Sequence, residues 1–301
     1  MRKIINNLNN LNNNLQYFVP DNICAPAVAA FATRLGGVSG SSGDDQLYSL
    51  DLGFKEKYNT DNINENVLRN YKIIADELGF SVNNIIYAHQ KHTDNILIYD
   101  ENFRNFTNSQ DYQNYNNIET SRLSLPDHFI YDAMVTDIPG ILLSVRSADC
   151  VPVLFWDEEH NAVGAAHCGW RGTIQKLQVK TALKMHELYN TDLRRLKIAI
   201  GPCISKCCYE VSEEFFRDFV NTIGTETEIY FNEIPGGKYM CDLKCINKML
   251  LETILNSDTS NNSNNIEISQ NCTCCEENLF YSHRRQGGFR GTHASFIGVK
   301  T

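Results

Sequence analysis

A mixed α/β fold is what this sequence predicts, and three observations carry the prediction. Segments with apolar residues every three or four positions alternate irregularly with short apolar runs of strand type. That irregularity favours mixed sheets over a regular βαβ array. Hydrophobic residues make up 42% of the 301, enough for a large core, and no internal repeat is present.

The elements follow in order. Residues 6–14, NNLNNLNNN, are too polar to bury a surface, so 1–20 are expected to form a disordered Asn-rich tail and 21–301 a single catalytic domain. Strand-like runs fall at 27–33, 84–88, 95–99, 133–136, 141–145, 151–156, 162–166, 196–200 and 294–299. Helical spacing is present at 63–78, 174–189, 213–222 and 243–255. Two further Asn-rich patches, 105–117 and 256–265, read as expansions of surface loops.

Charge and composition narrow the function classes. A net charge of -9 and a pI near 5.4 argue against nucleic acid or an anionic membrane as partner, since both favour a basic face. No apolar run approaches the ~20 residues of a spanning helix, and the N-terminus lacks the apolar segment of a signal peptide. A cytoplasmic protein acting on small molecules is expected. Eight of the eleven cysteines fall in clumps, Cys203, Cys207 and Cys208, then Cys241 and Cys245, then Cys272, Cys274 and Cys275. They are read as reduced, mostly as small buried hydrophobes, with a second structural metal site as the alternative.

Chemistry concentrates in SADCVPVLFWDEEHNAVGAAHCGWRGT, 147–173. Two buried strands flank a polar connection, with a cysteine before the first and a histidine after the second. A hairpin centred on Glu158 and Glu159 sets Cys150 directly opposite His167, on one face with Cβ atoms ~5 Å apart. Such a pair suits two ligands of one zinc ion; a core cysteine with an incidental histidine is the competing reading. A third ligand must come from elsewhere among His89, His92, His128, His160, His186, His283 and His293. His160 belongs to the turn and His186 to a lysine-bearing helix, so both are read as surface. His89 and His92, in AHQKHTDNI just after a strand, stand out, and periodicity does not rank them.

The segments FATRLGGVSG, SLDLG, HQKHTDNI, DAMVTDIPGILLSVRSADCVPVLFWD, AVGAAHCGWRGT, IGPCISKCCYEV and YSHRRQGG resemble, in order, the motifs of the laccase-domain family. Its members were first called multicopper polyphenol oxidases and are now described as purine nucleoside phosphorylases. The resemblance spans about 31–298 and implies a layered α/β/β/α domain with mixed sheets. It implies that His92, Cys150 and His167 hold one catalytic zinc, choosing His92 over His89. It implies phosphorolysis of adenosine, inosine and S-methyl-5′-thioadenosine to free base and ribose 1-phosphate or its methylthio analogue, with adenosine deamination as a side activity. Four positions depart from the family pattern: Thr93 for glycine, Cys168 for alanine, His283 for tyrosine and Thr292 for arginine. They bear on pocket shape and charge, and Cys168 invites oxidation beside the metal.

Three protein ligands leave zinc an open position, the mark of a catalytic site, from which the ion acidifies water or polarises a substrate atom. Phosphate as co-substrate calls for local cations. Arg34, Arg146, Arg171, Arg284 and Arg285 lie in the matched motifs, with Arg171 and Arg146 expected nearest the metal; the turns at 169–173 and 36–39 are candidates for additional backbone N–H donors. Asp149 is expected to orient an arginine, since on an ideal strand it faces away from Cys150. Trp170 is read as a core residue or as a purine platform. Three alternatives remain open. One is a copper polyphenol oxidase; copper also outcompetes zinc for such ligands, but eight histidines without a His-x-His pair do not furnish a multicopper centre. Another is a metal-free Cys/His hydrolase or deamidase. The last is an interaction module whose zinc is closed by a fourth ligand such as His89.

Overall fold

The computed structural model describes residues 1–7, 14–39, 50–53, 61–108, 129–255, 265–287 and 291–301. The strands in chain order are β1 (Arg2–Asn7), β2 (Asn14–Val19), β3 (Ala27–Ala32), β4 (Ile85–Ile86), β5 (Ile96–Ile98), β6 (Ala133–Thr136), β7 (Leu142–Ser147), β8 (Val151–Asp157), β9 (Ala162–Cys168), β10 (Lys197–Ile200), β11 (Glu210–Ser212), β12 (Phe231–Ile234), β13 (Lys238–Cys241), β14 (Ile266–Ile268) and β15 (His293–Val299). The helices are α1 (Asp61–Leu78), α2 (Glu101–Asn108), α3 (Trp170–Ile174), α4 (Leu177–Tyr189), α5 (Glu213–Thr222), α6 (Leu243–Leu255) and α7 (His283–Gln286).

Two six-stranded sheets carry the architecture, in the orders β1-β2-β3-β15-β7-β4 and β14-β10-β8-β9-β6-β5. Both are mixed: β4 runs parallel to β7, β5 to β6 and β14 to β10, while the other pairs are antiparallel. Every residue of β8 and β9 is buried, which explains why they read as continuous apolar runs rather than alternating ones. Alternate residues still divide between two cores. Leu154, Trp156, Val163 and Ala165 face Phe31, Leu143, Val145 and Ile297 of the other sheet. Val153, Phe155, Ala166 and Cys168 face outward, under Leu177, Ala182 and Met185 of α4 and Ile246 and Leu250 of α6. On the far side Val67, Tyr71, Ile74 and Leu78 of α1 cover Leu142 and Phe296. The order helix, sheet, sheet, helix is the expected layering.

Local chemistry sets the helix ends. Ser212 accepts from the backbone N–H of Phe215 at 3.2 Å and two glutamates open α5, a favourable N-cap. The single helix expected over 174–189 is two, because Lys176 adopts the left-handed conformation with φ 59° and separates α3 from α4. A third sheet, β11-β13-β12, has strands of three or four residues, too short to register as periodicity in the sequence.

The N-terminal expectation needs correction. Residues 14–19 do not belong to a loose tail: β2 pairs with β1 along its whole length and with β3 through Tyr17↔Ala32 and Phe18↔Phe31. Leu15 and Tyr17 enter the core beneath α1, and Phe18 enters the core between the sheets. The alternation in NLQYFV is masked in the sequence by the asparagines before it; residues 8–13 lie outside the described residues. Most of both expected Asn-rich expansions, 109–117 and 256–264, lies there too, and Asn105–Asn108 belong to α2. No helix among the described residues is long and apolar enough to cross a membrane.

Leu15 is fully buried, so Leu15→Ala should lower the unfolding free energy by about 2–5 kcal/mol, read from urea midpoints. An effect near zero would show β2 to be undocked.

Candidate metal centre

The hairpin β8–β9 positions the second half of the centre. Asp157 accepts from the backbone N–H groups of Glu159 and His160 at 3.0 and 3.3 Å, and Asn161 closes the connection with φ 52°, a conformation asparagine tolerates. The four-residue turn Glu158–Asn161 is therefore centred one residue later than the sequence pattern implies. In the resulting register His167 faces Pro152, not Cys150. Cys150 lies two residues before Pro152, so the shift preserves the facing parity. His167 points to the core between the sheets, and Cys168 points to the opposite face.

Cys150 is brought in by an irregular turn. Asp149 has φ 98°, outside the usual range for a residue with a side chain, and its carboxylate holds that conformation. One oxygen accepts from Thr273 Oγ1 at 2.6 Å, and the other from Ser282 Oγ at 3.0 Å and the Arg284 backbone N–H at 2.7 Å. Asp149 thus anchors the backbone of an arginine rather than its guanidinium.

His92 comes from the loop after β4. Gln90 fixes this loop to β7 through a two-way amide pair with Arg146, donating to its carbonyl at 2.8 Å and accepting from its N–H at 2.7 Å. The backbone N–H groups of Lys91, His92 and Thr93 converge on the carboxylate of Asp132 at 3.1, 3.1 and 2.6 Å. Thr93 adds its hydroxyl at 2.8 Å. His92 itself sits at φ 61°.

Asp132 also accepts from His167 Nδ1 at 2.9 Å, and its carbonyl accepts from the His167 N–H at 2.7 Å. One carboxylate therefore shapes the loop bearing one histidine and fixes the tautomer of the other, leaving His167 Nε2 as a lone-pair donor. The sequence does not single out Asp132. It leads the strand motif DAMVTD, and its place before a buried strand reads as a boundary.

His92, Cys150 and His167 offer ligand atoms that all lie within 4.8 Å of one another, with no fourth His, Cys, Asp or Glu in the group among the described residues. Cys150 Sγ lies 3.7 Å from His92 Nε2, against ~3.5 Å for a sulfur and a nitrogen on one tetrahedral zinc ion. Gly169 makes the approach possible: a Cβ there would lie 2.8 Å from His92 Cδ2 and 3.0 Å from Cys150 Sγ. These residues fit a single metal ion.

Electrostatics agree with that fit. Burial by itself would push the Cys150 thiol up, but the imidazoles of His167 and His92 outweigh it and bring the thiol down to about 6. Burial would lower His167, yet the Cys150 sulfur and the Asp132 carboxylate raise it to about 9. Asp132, which burial would raise, is held below the usual carboxylate range by His167 and Thr93. Cys168 is different: burial drives its thiol well up. Since it faces the outer core, the expectation of oxidation beside the metal is corrected.

No other candidate histidine among the described residues joins the cluster. His160 bonds Asp157 in the turn and His186 bonds the Thr191 carbonyl, both at 2.8 Å and both exposed. His283 is exposed, His89 is half-buried outside the cluster, His293 is buried beside Ser147, and His128 lies outside the described residues. Arg285 donates to the carbonyls of Thr273, Cys274 and Phe280. Arg284 donates to those of Cys208 and Glu210. Arg34 is buried, donating to the Glu277 carbonyl and lying 4.5 Å from the centre of the Tyr281 ring. Arg171 lies 4.3 Å from the centre of the half-buried Trp170 ring, which packs on Phe215 at 5.4 Å. Arg146 lies 5.0 Å from the Tyr87 ring centre. In the 36–39 turn the Val38 N–H is taken by Asn70. Thr292 donates its N–H to Asp51.

Residues 28–300 match the family model described as multi-copper polyphenol oxidoreductase laccase. The chain belongs to this family. It is 32% identical over 260 residues to a purine nucleoside phosphorylase of Clostridium acetobutylicum, covering 84% of this chain and 92% of that one. It is 30% identical over 274 residues to purine nucleoside phosphorylase YlmD of Geobacillus stearothermophilus, covering 91% and 90%. The crystal structure of YlmD from that organism superposes with a TM-score of 0.75, covering 92% of this chain and 93% of that one at 28% identity. Adenosine deaminase RL5, from an unknown prokaryotic organism, is 27% identical over 271 residues, covering 86% and 89%. The family is metal-associated, in keeping with the cluster.

Two outcomes follow for the isolated protein. Asp132→Asn keeps an acceptor for His167 but removes the charge on which three backbone N–H groups converge, and should weaken metal binding by about 10–100-fold in a chelator competition. In the metal-free chain His167 keeps its proton up to about 9, whereas Cys150 has lost its own above about 6. Ligation between those values expels one proton, from His167, and below about 6 a second, from Cys150. Affinity should therefore fall about tenfold per unit as pH drops from 9 to 6 and more steeply below, measured by calorimetry in buffers of different ionisation enthalpy.

Proposed function

We propose that this chain is a zinc-dependent purine nucleoside phosphorylase. In this reading it acts on adenosine, inosine and S-methyl-5′-thioadenosine with phosphate, giving free base and ribose 1-phosphate or its methylthio analogue. The observation that carries the reading is the three-ligand cluster His92, Cys150 and His167 with no fourth protein ligand among the described residues, in a family with relatives named for this activity. An open position is what separates catalytic from structural zinc. Bound there, zinc would supply a Lewis acid for a nitrogen or oxygen of the substrate.

The chain's own groups divide the remaining work. Asp132 orients His167 and the His92 loop, so that both ligands are held without reorganisation. Phosphorolysis joins a phosphate oxygen to the anomeric carbon as its bond to the purine nitrogen breaks, which requires cations to hold the phosphate in line. Arg146 and Arg171 fill that role in this reading. Arg146 is tied to the His92 loop through Gln90, and Arg171 lies two residues beyond Gly169. Arg34, Arg284 and Arg285 place guanidinium donors on backbone carbonyls, a bracing role around the same site. The net charge of -9 fits small-molecule substrates brought in by local cations rather than a nucleic acid.

Deamination of adenosine is assigned as a side activity, because the relative named adenosine deaminase aligns over 86% of this chain. One observation favours a metal-free reading: Cys150, His167 and Asp132 also stand as thiolate, imidazolium and orienting carboxylate. Chelation separates the two. If zinc is required, metal removal abolishes turnover and added zinc restores it; a thiolate nucleophile survives the chelator.

The decisive measurement is product analysis with each of the three nucleosides, with and without phosphate. Base release should require phosphate and yield the sugar 1-phosphate, and Cys150→Ala should lose bound zinc and turnover together. Base release that ignores phosphate would overturn phosphorolysis, and a fully active Cys150→Ala would overturn the assignment of the site.

A further inference from the structure

Four cysteines that the proposed chemistry leaves aside meet at one point. The sulfurs of Cys207, Cys208, Cys272 and Cys275 all lie within 4.8 Å of one another. Cys275 is 3.2 Å from Cys208 and 3.4 Å from Cys207, and Cys207 is 3.7 Å from Cys272. Sulfurs at the corners of a zinc tetrahedron, each ~2.3 Å from the ion, are ~3.8 Å apart.

Neither hydrophobic packing nor disulfide formation accounts for the cluster as well. Thiols packed merely as small hydrophobes should be buried, as Cys168, Cys203 and Cys241 are, but Cys207 and Cys275 are exposed and Cys208 is half-buried. Disulfide pairing would require sulfurs ~2.05 Å apart, and Cys275 is shared between two neighbours at nearly equal distance, so either pairing would strand the other.

The backbone around the cluster is built as a two-segment clasp. The backbone at Cys203 pairs with that at Cys272 in a short parallel β contact, and Thr273 N–H donates to the Cys203 carbonyl at 3.1 Å. Cys272 and Cys275 have the C-x-x-C spacing of zinc knuckles. The N–H groups of Cys208 and Tyr209 both donate to the Ser205 carbonyl at 2.9 and 3.1 Å, folding the other pair into a tight turn. Ser205 donates its own N–H to Cys272 Sγ at 3.4 Å, a contact that stabilises sulfur as thiolate.

We propose that Cys207, Cys208, Cys272 and Cys275 bind one zinc ion in a closed tetrathiolate site, separate from the His92, Cys150 and His167 centre. The four thiol protons leave to solvent as the four Zn–S bonds form, and no oxidant or reductant is involved. With no position left for substrate, this ion is structural. Its place in the fold gives it a specific role. Asp149, next to Cys150, bonds Thr273, Ser282 and the Arg284 N–H, and its carbonyl accepts from Ile204 at 2.9 Å. The residue that turns Cys150 inward is therefore held by both segments that the clasp joins.

The test is native mass spectrometry and elemental analysis of the full-length protein purified with zinc and a thiol reductant. Two zinc ions per chain are expected, matching the two clusters. Cys150→Ala should retain one, and Cys207→Ser with Cys275→Ser should retain one and melt at a lower temperature. Cobalt loaded into Cys150→Ala should give the strong sulfur-to-metal charge-transfer bands of a tetrathiolate, which tests the clasp even where the double variant fails to fold. A single zinc in the native chain that disappears in Cys150→Ala would overturn the proposal, as would a mass showing hydrogens lost to disulfides. Because this readout is metal content and spectrum, loss of the phosphorylase reading would leave it intact.

Discussion

The centre depends on one buried carboxylate. Asp132 is almost fully withdrawn from solvent, where an ionised carboxylate is costly unless it is richly hydrogen-bonded. It is: three successive backbone N–H groups, a threonine hydroxyl and an imidazole N–H all donate to it. Those bonds have two structural effects. They stabilise the charge, and they bend the 91–93 loop into the conformation that presents His92 to Cys150 and His167.

The sheets supply the rigidity this arrangement needs. His167 lies on a strand with neighbours on both sides and a packed core on each face, and Asp132 directly precedes the strand that pairs beside it. Side chains mounted on such elements keep their positions better than side chains on loops. The two that are on loops are each tied down by a side chain acting on backbone: Gln90 extends β7 toward His92, and Asp149 fastens the turn before Cys150 to 273, 282 and 284.

Much of this is legible in the sequence because period and burial speak locally. The helices over 213–222 and 243–255 and the strand over 133–136 have the expected bounds, and the irregular alternation does signal mixed sheets. Cys150 and His167 are visible as a bracketed hairpin, although its turn is set by Asp157 and Asn161 acting on the backbone, which shifts the register by two residues. His92 cannot be separated from His89 by spacing, since what distinguishes them is a left-handed backbone held by a carboxylate about forty residues away. Asp132 itself looks like a strand boundary. The β1–β2 hairpin is hidden by asparagine content, and the meeting of the 207–208 and 272–275 cysteines depends on chain segments that no local pattern links.

The strand β9 places chemically different neighbours on its two faces: His167 toward the sheet interface and Cys168 toward the helices. Strand facing has a period of two, so the hairpin connection acts as a parity gate. Losing or gaining a pair of residues there would leave an imidazole looking inward, whereas losing one would bring Cys168 to its place, gaining one would bring Ala166, and either would turn the histidine toward the layer under the helices. For this hairpin, whether the number of residues in a solvent-facing bend is odd or even bears on which side chain reaches the candidate centre roughly 20 Å away along the strand.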